Sequence, residues 1–351
     1  MFHPCRFNKI RHELKDQGGK DLIEVKNLVK KYGSHLAIDH LNFKIEKGKI
    51  YGFLGPNGAG KSTTMNIMTG YLGATEGEVL INGHDILKEP EEAKKHIGYL
   101  PELPPLYTEM TVQEYLDFTA ELKGISRDKR ESSVEEVLKL AKLMDVRGRL
   151  IRNLSKGYRQ RVGLAQAVLG FPDIIILDEP TVGLDPKQII EIRELIRKLA
   201  KDHTVILSSH ILAEVREVCD YIMIISKGRL VASDTPDNLE HLMDDSETVE
   251  ILAKTEPSRL REILSSVNEI SGIKTEKRAD GTTYATLEVK EHKDIREKVF
   301  FAFAGANCPL LMLNTNRASL EEIFLELTQG ETGSKLLSAE REEDETDAGD
   351  L

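Results

Sequence analysis

The sequence predicts an α/β protein: a mixed β core with a helical insertion, followed by a small α+β domain. Three observations point there. A glycine-rich loop stands between an apolar strand and a helix-compatible run, a wholly apolar strand ends in two acids, and a separate β-α-β-β-α-β series begins after residue 245. In the first part, strands alternate with helices, which implies a parallel sheet covered on both faces.

The chain has 351 residues, more than the usual domain of about 100 to 200 residues, so one large or two ordinary domains are expected. With 40% hydrophobic and 30% charged residues it has the composition of an ordinary globular protein. The formal net charge of -11 argues against a broad basic surface tracking nucleic-acid phosphates. Cys5, Cys219 and Cys308 form neither a CxxC nor a Cys/His cluster, so no disulfide framework or zinc site is expected. No run approaches the roughly 18 apolar residues that span a bilayer. Residues 1–20 lack the apolar segment of a secretory signal and read as a frayed extension.

Strand pattern begins at Leu22. Leu41, Phe43 and Ile45 alternate with Asn42, Lys44 and Glu46, then Lys47 and Gly48 turn the chain into an apolar strand over residues 50–54. Residues 104–170 read as all-helical. There Thr111 and Glu114 make a capping box, and a second helix carries Val134, Val137, Leu138, Ala141 and Met144 on one face. Next come a strand over 174–177, a helix over 188–201, a strand over 204–207, and a hairpin turning at Lys227 and Gly228.

Beyond Asp234 a strand (248–252), a helix (257–267), a hairpin turning at Asp280 and Gly281, a helix (294–303) and a strand (310–313) predict a split-βαβ, ferredoxin-like domain over 245–330. Ser319 and Glu322 then cap a last helix with Leu320, Ile323, Phe324 and Leu327 on one side. Residues 331–351 form an acidic tail that should be disordered.

Gly55, Pro56, Asn57, Gly58, Ala59, Gly60, Lys61 and Ser62 satisfy GxxxxGK[ST] in the strand-to-helix context that the motif requires. Glycines let backbone amides curl around phosphate oxygens, and the helix starting near Thr63 offers its positive end. Lys61 is suited to the β and γ phosphates and Ser62 to magnesium. Two carboxylates after a buried strand are not explained by packing. Asp178 suits a magnesium ion held through water, and Glu179 suits a general base that polarises an attacking water. His210, ending the strand after Ser208 and Ser209, is placed to bond the γ-phosphate and that water.

Taken in order, these residues resemble the nucleotide-binding subunits of ABC transporters over residues 22 to about 240. Leu154, Ser155, Lys156, Gly157 and Tyr158, followed by Arg159 and Gln160, resemble the signature LSGGQ. Gly183, Leu184 and Asp185 resemble the D-loop, Tyr32 the adenine-stacking aromatic, and Tyr99, Leu100, Pro101 and Glu102 the Q-loop segment.

The resemblance implies a P-loop NTPase cassette over 21–240, with an antiparallel β subdomain beside the mixed core. ATP and Mg2+ are its expected ligands, with Asn57, Gly58, Ala59, Gly60, Lys61, Ser62 and Thr63 around the phosphates, and Ser62, Glu102 and Asp178 at the metal. It implies a second copy of the chain, whose Ser155 and Gly157 would close on the γ-phosphate and whose Asp185 would couple the two sites. It also implies a separate transmembrane permease, and hence a cytoplasmic protein peripheral on the inner face of the membrane.

The variant signature and Glu102 look most like exporter ATPases of the daunorubicin-resistance, gliding-motility and copper-processing kind, with residues 245–330 as an accessory regulatory or dimer-supporting domain. Three positions depart from the family pattern: Lys156 replaces a glycine, Tyr158 a glutamine, and Glu102 the Q-loop glutamine. Two other classes fit the sequence less well. An ATPase of this family acting on ribosomes or DNA is disfavoured by the single cassette, the lack of heptads and the acidic balance. A non-hydrolysing regulatory subunit is disfavoured because Lys61, Ser62, Asp178, Glu179 and His210 are all present.

Overall fold

The computed structural model describes residues 21–241, 248–289 and 294–316, together with 321, 324, 325 and 328. Residues 1–20, the tail 331–351, and Ser319, Leu320, Glu322, Ile323 and Leu327 of the expected last helix lie outside the described residues. The chain divides between Pro236 and Asp237 into two compact units.

The first unit opens with two long strands, β1 (Asp21–Tyr32) and β2 (His35–Glu46), then β3 (Ile50–Leu54) and α1 (Lys61–Met68). β4 (Glu76–Ile81), β5 (His84–Asp85), α2 (Pro90–Lys95) and β6 (Ile97–Leu100) follow. The helical insertion is α3 (Val112–Leu122), α4 (Arg127–Leu140) and α5 (Lys156–Val168). β7 (Ile174–Leu177), α6 (Pro186–Leu199), β8 (Thr204–Ser209), α7 (Leu212–Val218), β9 (Tyr221–Ser226) and β10 (Arg229–Asp234) complete the series, and α8 (Pro236–His241) begins at the division itself.

One sheet is antiparallel, in the order β2-β1-β4-β5, and the other runs β10-β9-β3-β8-β7-β6. The second is parallel from β9 to β6, and only the closing hairpin strand β10 is antiparallel. The alternation in β2 decides how the two meet: Leu41, Phe43 and Ile45 are buried while Asn42 and Lys44 are exposed. They share one core with Phe53 of β3, Ile174 and Ile176 of β7, and Met65 and Met68 of α1. Phe43 and Phe53 meet edge to face at 5.3 Å between ring centroids. Phe53 is fully buried, so truncating it to Ala would cost about 3 to 5 kcal/mol.

On the opposite face of the parallel sheet α7 packs on β3 so closely that a Cβ at Gly52 would lie 2.3 Å from Val215 Cγ1 and 2.8 Å from Cys219 Sγ. Cys219 and Cys308 are buried free thiols, and burial pushes the Cys219 thiol well above its usual range. Cys5 lies outside the described residues.

The capping box forms as expected: Thr111 Oγ1 accepts from the Glu114 amide at 3.2 Å and the Glu114 carboxylate accepts from the Thr111 amide at 2.8 Å. Val134, Val137 and Leu138 are buried along α4. Met144 does not continue that face. The helix stops at Ala141, Lys142 turns to φ 53°, and Leu143 is buried in its place while Met144 is exposed.

The second unit contains β11 (Thr248–Ala253), α9 (Pro257–Leu264), β12 (Ile270–Lys277), β13 (Thr283–Val289), α10 (Arg296–Gly305) and β14 (Leu310–Asn316). Its sheet is antiparallel in the order β12-β13-β11-β14, the ferredoxin-like arrangement. Asp280 closes the hairpin by accepting from the Thr282 amide at 2.9 Å and hydroxyl at 2.6 Å, and Gly281 takes φ 78°. Val249, Ile251, Leu260, Leu264, Leu287, Val299 and Phe303 form its core.

Candidate functional site: a cleft at the ends of four parallel strands

β3, β8, β7 and β6 are parallel neighbours, so their C-terminal ends open on one edge of the sheet. That edge receives the glycine-rich loop after Leu54, the acids after Leu177, His210 after Ser209 and Glu102 two residues after Leu100. Strand ends of this kind are where open α/β sheets bind ligands.

Gly60, immediately before α1, has φ 108°, and a Cβ there would lie 2.8 Å from the Ala37 carbonyl oxygen. At Gly55 a Cβ would lie 2.3 Å from the Ile225 carbonyl oxygen. Close backbone approach therefore requires glycine at both ends of the loop. The loop leads directly into α1, whose first-turn amides and positive dipole end suit an anion. Lys61, only 5% exposed, donates to the carbonyls of Gly55 at 2.8 Å and Pro56 at 3.3 Å. Its ammonium also lies 3.6 Å from Glu179 Oε1.

Asp178 Oδ1 accepts hydrogen bonds from Ser62 Oγ at 3.1 Å and Ser208 Oγ at 2.6 Å. Ser208 in turn accepts from the Glu179 amide at 2.8 Å. Parallel register explains the arrangement, since Leu177 pairs with Leu207 and the next residues fall side by side. Glu179 is 7% exposed and adopts φ 47°, the left-handed region that strains a non-glycine residue. Its Oε2 lies 2.9 Å from His210 Nδ1. Nearby, burial and then the charge of Asp178 raise the Tyr99 hydroxyl well above its usual range, and that hydroxyl donates to Asn66 at 3.0 Å.

The cleft has a volume of about 390 Å³, within the range of small-molecule sites. Of the residues singled out from the sequence, Tyr32, Asn57, Gly58, Gly60, Lys61, Ser62, Thr63, Glu102, Glu179 and His210 line it. Tyr32 is 48% exposed at the end of β1 rather than packed in the core, with the Lys30 ammonium 5.2 Å from its ring centroid. Gly55, Ala59 and Asp178 are buried and do not line the cleft. His35, Ala37 and Val182 line it as well, and nothing in the sequence pattern had marked them.

Ser155, Gly157 and Asp185 are not among the lining residues. Ser155 caps α5, its hydroxyl accepting from the Tyr158 amide at 3.4 Å. Gly157 is buried, and a Cβ there would lie 2.5 Å from the Gln188 side chain. Asp185 is exposed and caps α6, accepting from the Gln188 amide at 3.0 Å. Tyr158 donates its hydroxyl to Asp145 at 3.0 Å and stacks under Arg161.

Ser62 and Asp178 offer oxygen donors beside the phosphate loop, the donor type that magnesium prefers. Among the described residues there is no cluster of three or more His, Cys, Asp or Glu that could cage a metal, and no helix is long and apolar enough to cross a membrane. A magnesium ion carried by nucleotide phosphates needs only one or two protein ligands, so the residues present fit it.

Comparisons with known proteins agree with this geometry. Residues 38–182 match the family model of the ABC transporter. The chain is 36% identical to the ABC transporter ATP-binding protein YhcH of Bacillus subtilis strain 168, covering 91% of this chain and 100% of that protein. It is 34% identical to the bacitracin transport ATP-binding protein BcrA of Bacillus licheniformis, covering 89% and 98%. Among solved structures, the dimeric post-hydrolysis state of the ATP-binding cassette MJ0796 bound to ADP and Pi superposes with a TM-score of 0.56 at 29% identity, covering 61% of this chain and 98% of that one. Phosphate loop, acidic strand end, strand-end histidine and full-length relatives converge: the chain belongs to the ATP-binding subunits of ABC transporters, and it is an ATPase.

Proposed function

We propose that two copies of this chain close around two ATP molecules, and that closure and hydrolysis drive a separate membrane permease in the direction of export. The observation that carries this reading is the division of the site residues. Lys61, Ser62, Glu179 and His210 share one cleft, whereas Ser155, Gly157 and Asp185 fall outside its lining. A second copy would supply the latter group to the nucleotide held by the first. The dimeric MJ0796 cassette bound to ADP and Pi supports that arrangement, the bacitracin transport of BcrA supports coupling to transport, and the exporter-like signature and Glu102 support its direction.

In this mechanism Tyr32 stacks on the adenine, and Gly55, Asn57, Gly58, Ala59, Gly60 and Thr63 cradle the phosphates with the loop and the start of α1. Lys61 exchanges its loop carbonyls for phosphate oxygens. Ser62 and Asp178, with Glu102 at the cleft wall, would hold Mg2+. When bound, that ion would supply neutralisation of phosphate charge. Glu179 takes the proton of the attacking water, and His210, hydrogen-bonded to Glu179, orients that water against the γ-phosphate. Ser155 and Gly157 of the second copy present the positive end of α5 to the same phosphate, and Asp185 couples the two sites. Residues 245–330 serve as an accessory regulatory or dimer-supporting domain. The protein is peripheral on the cytoplasmic face of the membrane through its permease.

Replacing Glu179 by Gln keeps the side-chain shape and removes the base. Phosphate release should fall at least about 10³-fold, as expected for loss of general base catalysis at a preorganised site, while ATP binding persists and a nucleotide-bound dimer accumulates on size exclusion. Near-normal phosphate release in that variant would remove Glu179 from the role.

A further inference from the structure

We propose that Glu214 is a positioning residue that holds Glu179 and His210 in register; the proposal rests on the roles given above to that pair. Glu214 lies in the first turn of α7, its carboxylate buried. One oxygen, Oε2, accepts both the Thr181 hydroxyl at 2.7 Å and the Ser209 hydroxyl at 3.1 Å. Those hydroxyls belong to the segments that carry the reactive pair. Thr181 follows Glu179 across Pro180, and Ser209 immediately precedes His210.

With His210 Nδ1 2.9 Å from Glu179 Oε2, the connections close a ring: Glu179, Pro180, Thr181, Glu214, Ser209, His210 and back to Glu179. Two independent elements are tied by it, the segment after β7 and the end of β8. A buried carboxylate is costly unless it is hydrogen-bonded, and both hydroxyls that satisfy Glu214 Oε2 come from the segments carrying the reactive pair. Arg193 completes the surroundings, with Nη2 4.0 Å from Glu214 Oε1 and its Nε buried without a hydrogen-bond partner.

The backbone of Glu179 gives the second, independent observation. A non-glycine residue at φ 47° persists where its surroundings over-determine it. From upstream, the Glu179 amide is fixed on Ser208 at 2.8 Å. Downstream, Thr181 is the next residue with a side-chain bond, and Glu214 is what receives it. Without Glu214, Thr181 and Ser209 lose their shared acceptor, and Ser208 is left to tie the end of β8 to the Glu179 backbone from the upstream side alone. The carboxylate would then sample positions off the line of attack, and misplacement of about 1 Å at a reacting group costs on the order of 10²-fold in rate.

The test uses the full chain with phosphate release, ATP affinity and thermal melting measured on Glu214→Ala and Thr181→Val, and on the conservative Glu214→Gln and Thr181→Ser. Both hydroxyls bind one oxygen, so the Gln side chain keeps their acceptor. We expect kcat to fall about 10- to 30-fold in Glu214→Ala and Thr181→Val with KM for ATP within about twofold of wild type, and to return to within about threefold in the conservative pair.

Because Glu214 acts by placing the Glu179 carboxylate, adding Glu214→Ala to Glu179→Gln, where the base is already gone, should lower single-turnover phosphate release by less than about threefold further. A kcat within about twofold of wild type in Thr181→Val overturns the proposal, as does a full additional loss in the Glu179→Gln background; the first holds even if Glu214→Ala fails to fold. Normal turnover in Glu179→Gln would instead sink the reading beneath it, which is a different outcome on a different variant.

Discussion

Two helix starts in the first unit are both expected from the sequence to face phosphate, and they differ in structure. At α1, Lys61 is buried against the loop carbonyls and Glu179, Ser62 is bonded to Asp178, and these groups with His210 surround a cleft. At α5, Ser155 caps its own helix, Tyr158 is engaged with Asp145, and no cleft residue is close enough to make Ser155, Gly157 or Asp185 part of its lining. The first is a preorganised cleft, and the second is, in the function proposed above, the surface that a second copy would bring to the nucleotide. On that proposal each chain carries two unlike halves, which a two-fold pair would join into two equal wholes.

Breaking the first half should have the larger consequence. Lys61→Ala should weaken ATP affinity on the order of 10²-fold, since a charge-assisted contact to phosphate in a buried site is lost; isothermal titration would read it. Tyr32→Ala removes a half-exposed stacking face and should weaken ATP by about tenfold, a typical loss for one base on one aromatic ring. If instead Tyr32→Ala left affinity unchanged and lowered the melting temperature, the ring would be a packing residue. Smallest is Glu102→Gln, which restores a neutral amide at an exposed cleft position. Screened as that position is, the magnesium concentration for half-maximal turnover should rise only about threefold.

What the sequence made legible, and what it hid, follows the same division between local and non-local signals. The phosphate loop, the acids after β7, the Thr111 capping box and the ferredoxin-like series are each written in a few consecutive residues, so spacing and residue type suffice. Ser208, Thr181 and Glu214 were not singled out. They are ordinary residues until the register of β7 on β8 sets Asp178 beside Ser208, and until α7 folds back to bring Glu214 to Thr181. His35 belongs to the cleft only because β1 and β2 turn between Tyr32 and His35 beside the loop. Gly157 was read as an anion-facing residue, yet its lack of a side chain is also required by Gln188 of α6, a packing partner that no local pattern reveals. Met144 failed for a local reason: a left-handed Lys142 ends the periodicity two residues before it.

Complementation between two broken chains tests the shared site most directly. Lys61→Ala spoils the cradle and Ser155→Arg spoils the α5 surface, so each variant alone has no intact site and should release phosphate at background rate. Mixed in equal amounts, half the dimers would pair one of each, and one of their two sites would join an intact Lys61 to an intact Ser155. Phosphate release should then recover to about a quarter of the wild-type rate under two-fold pairing. A mixture that stays at the background of its components, while mixed dimers are present, would contradict the claim that each nucleotide is held between two chains.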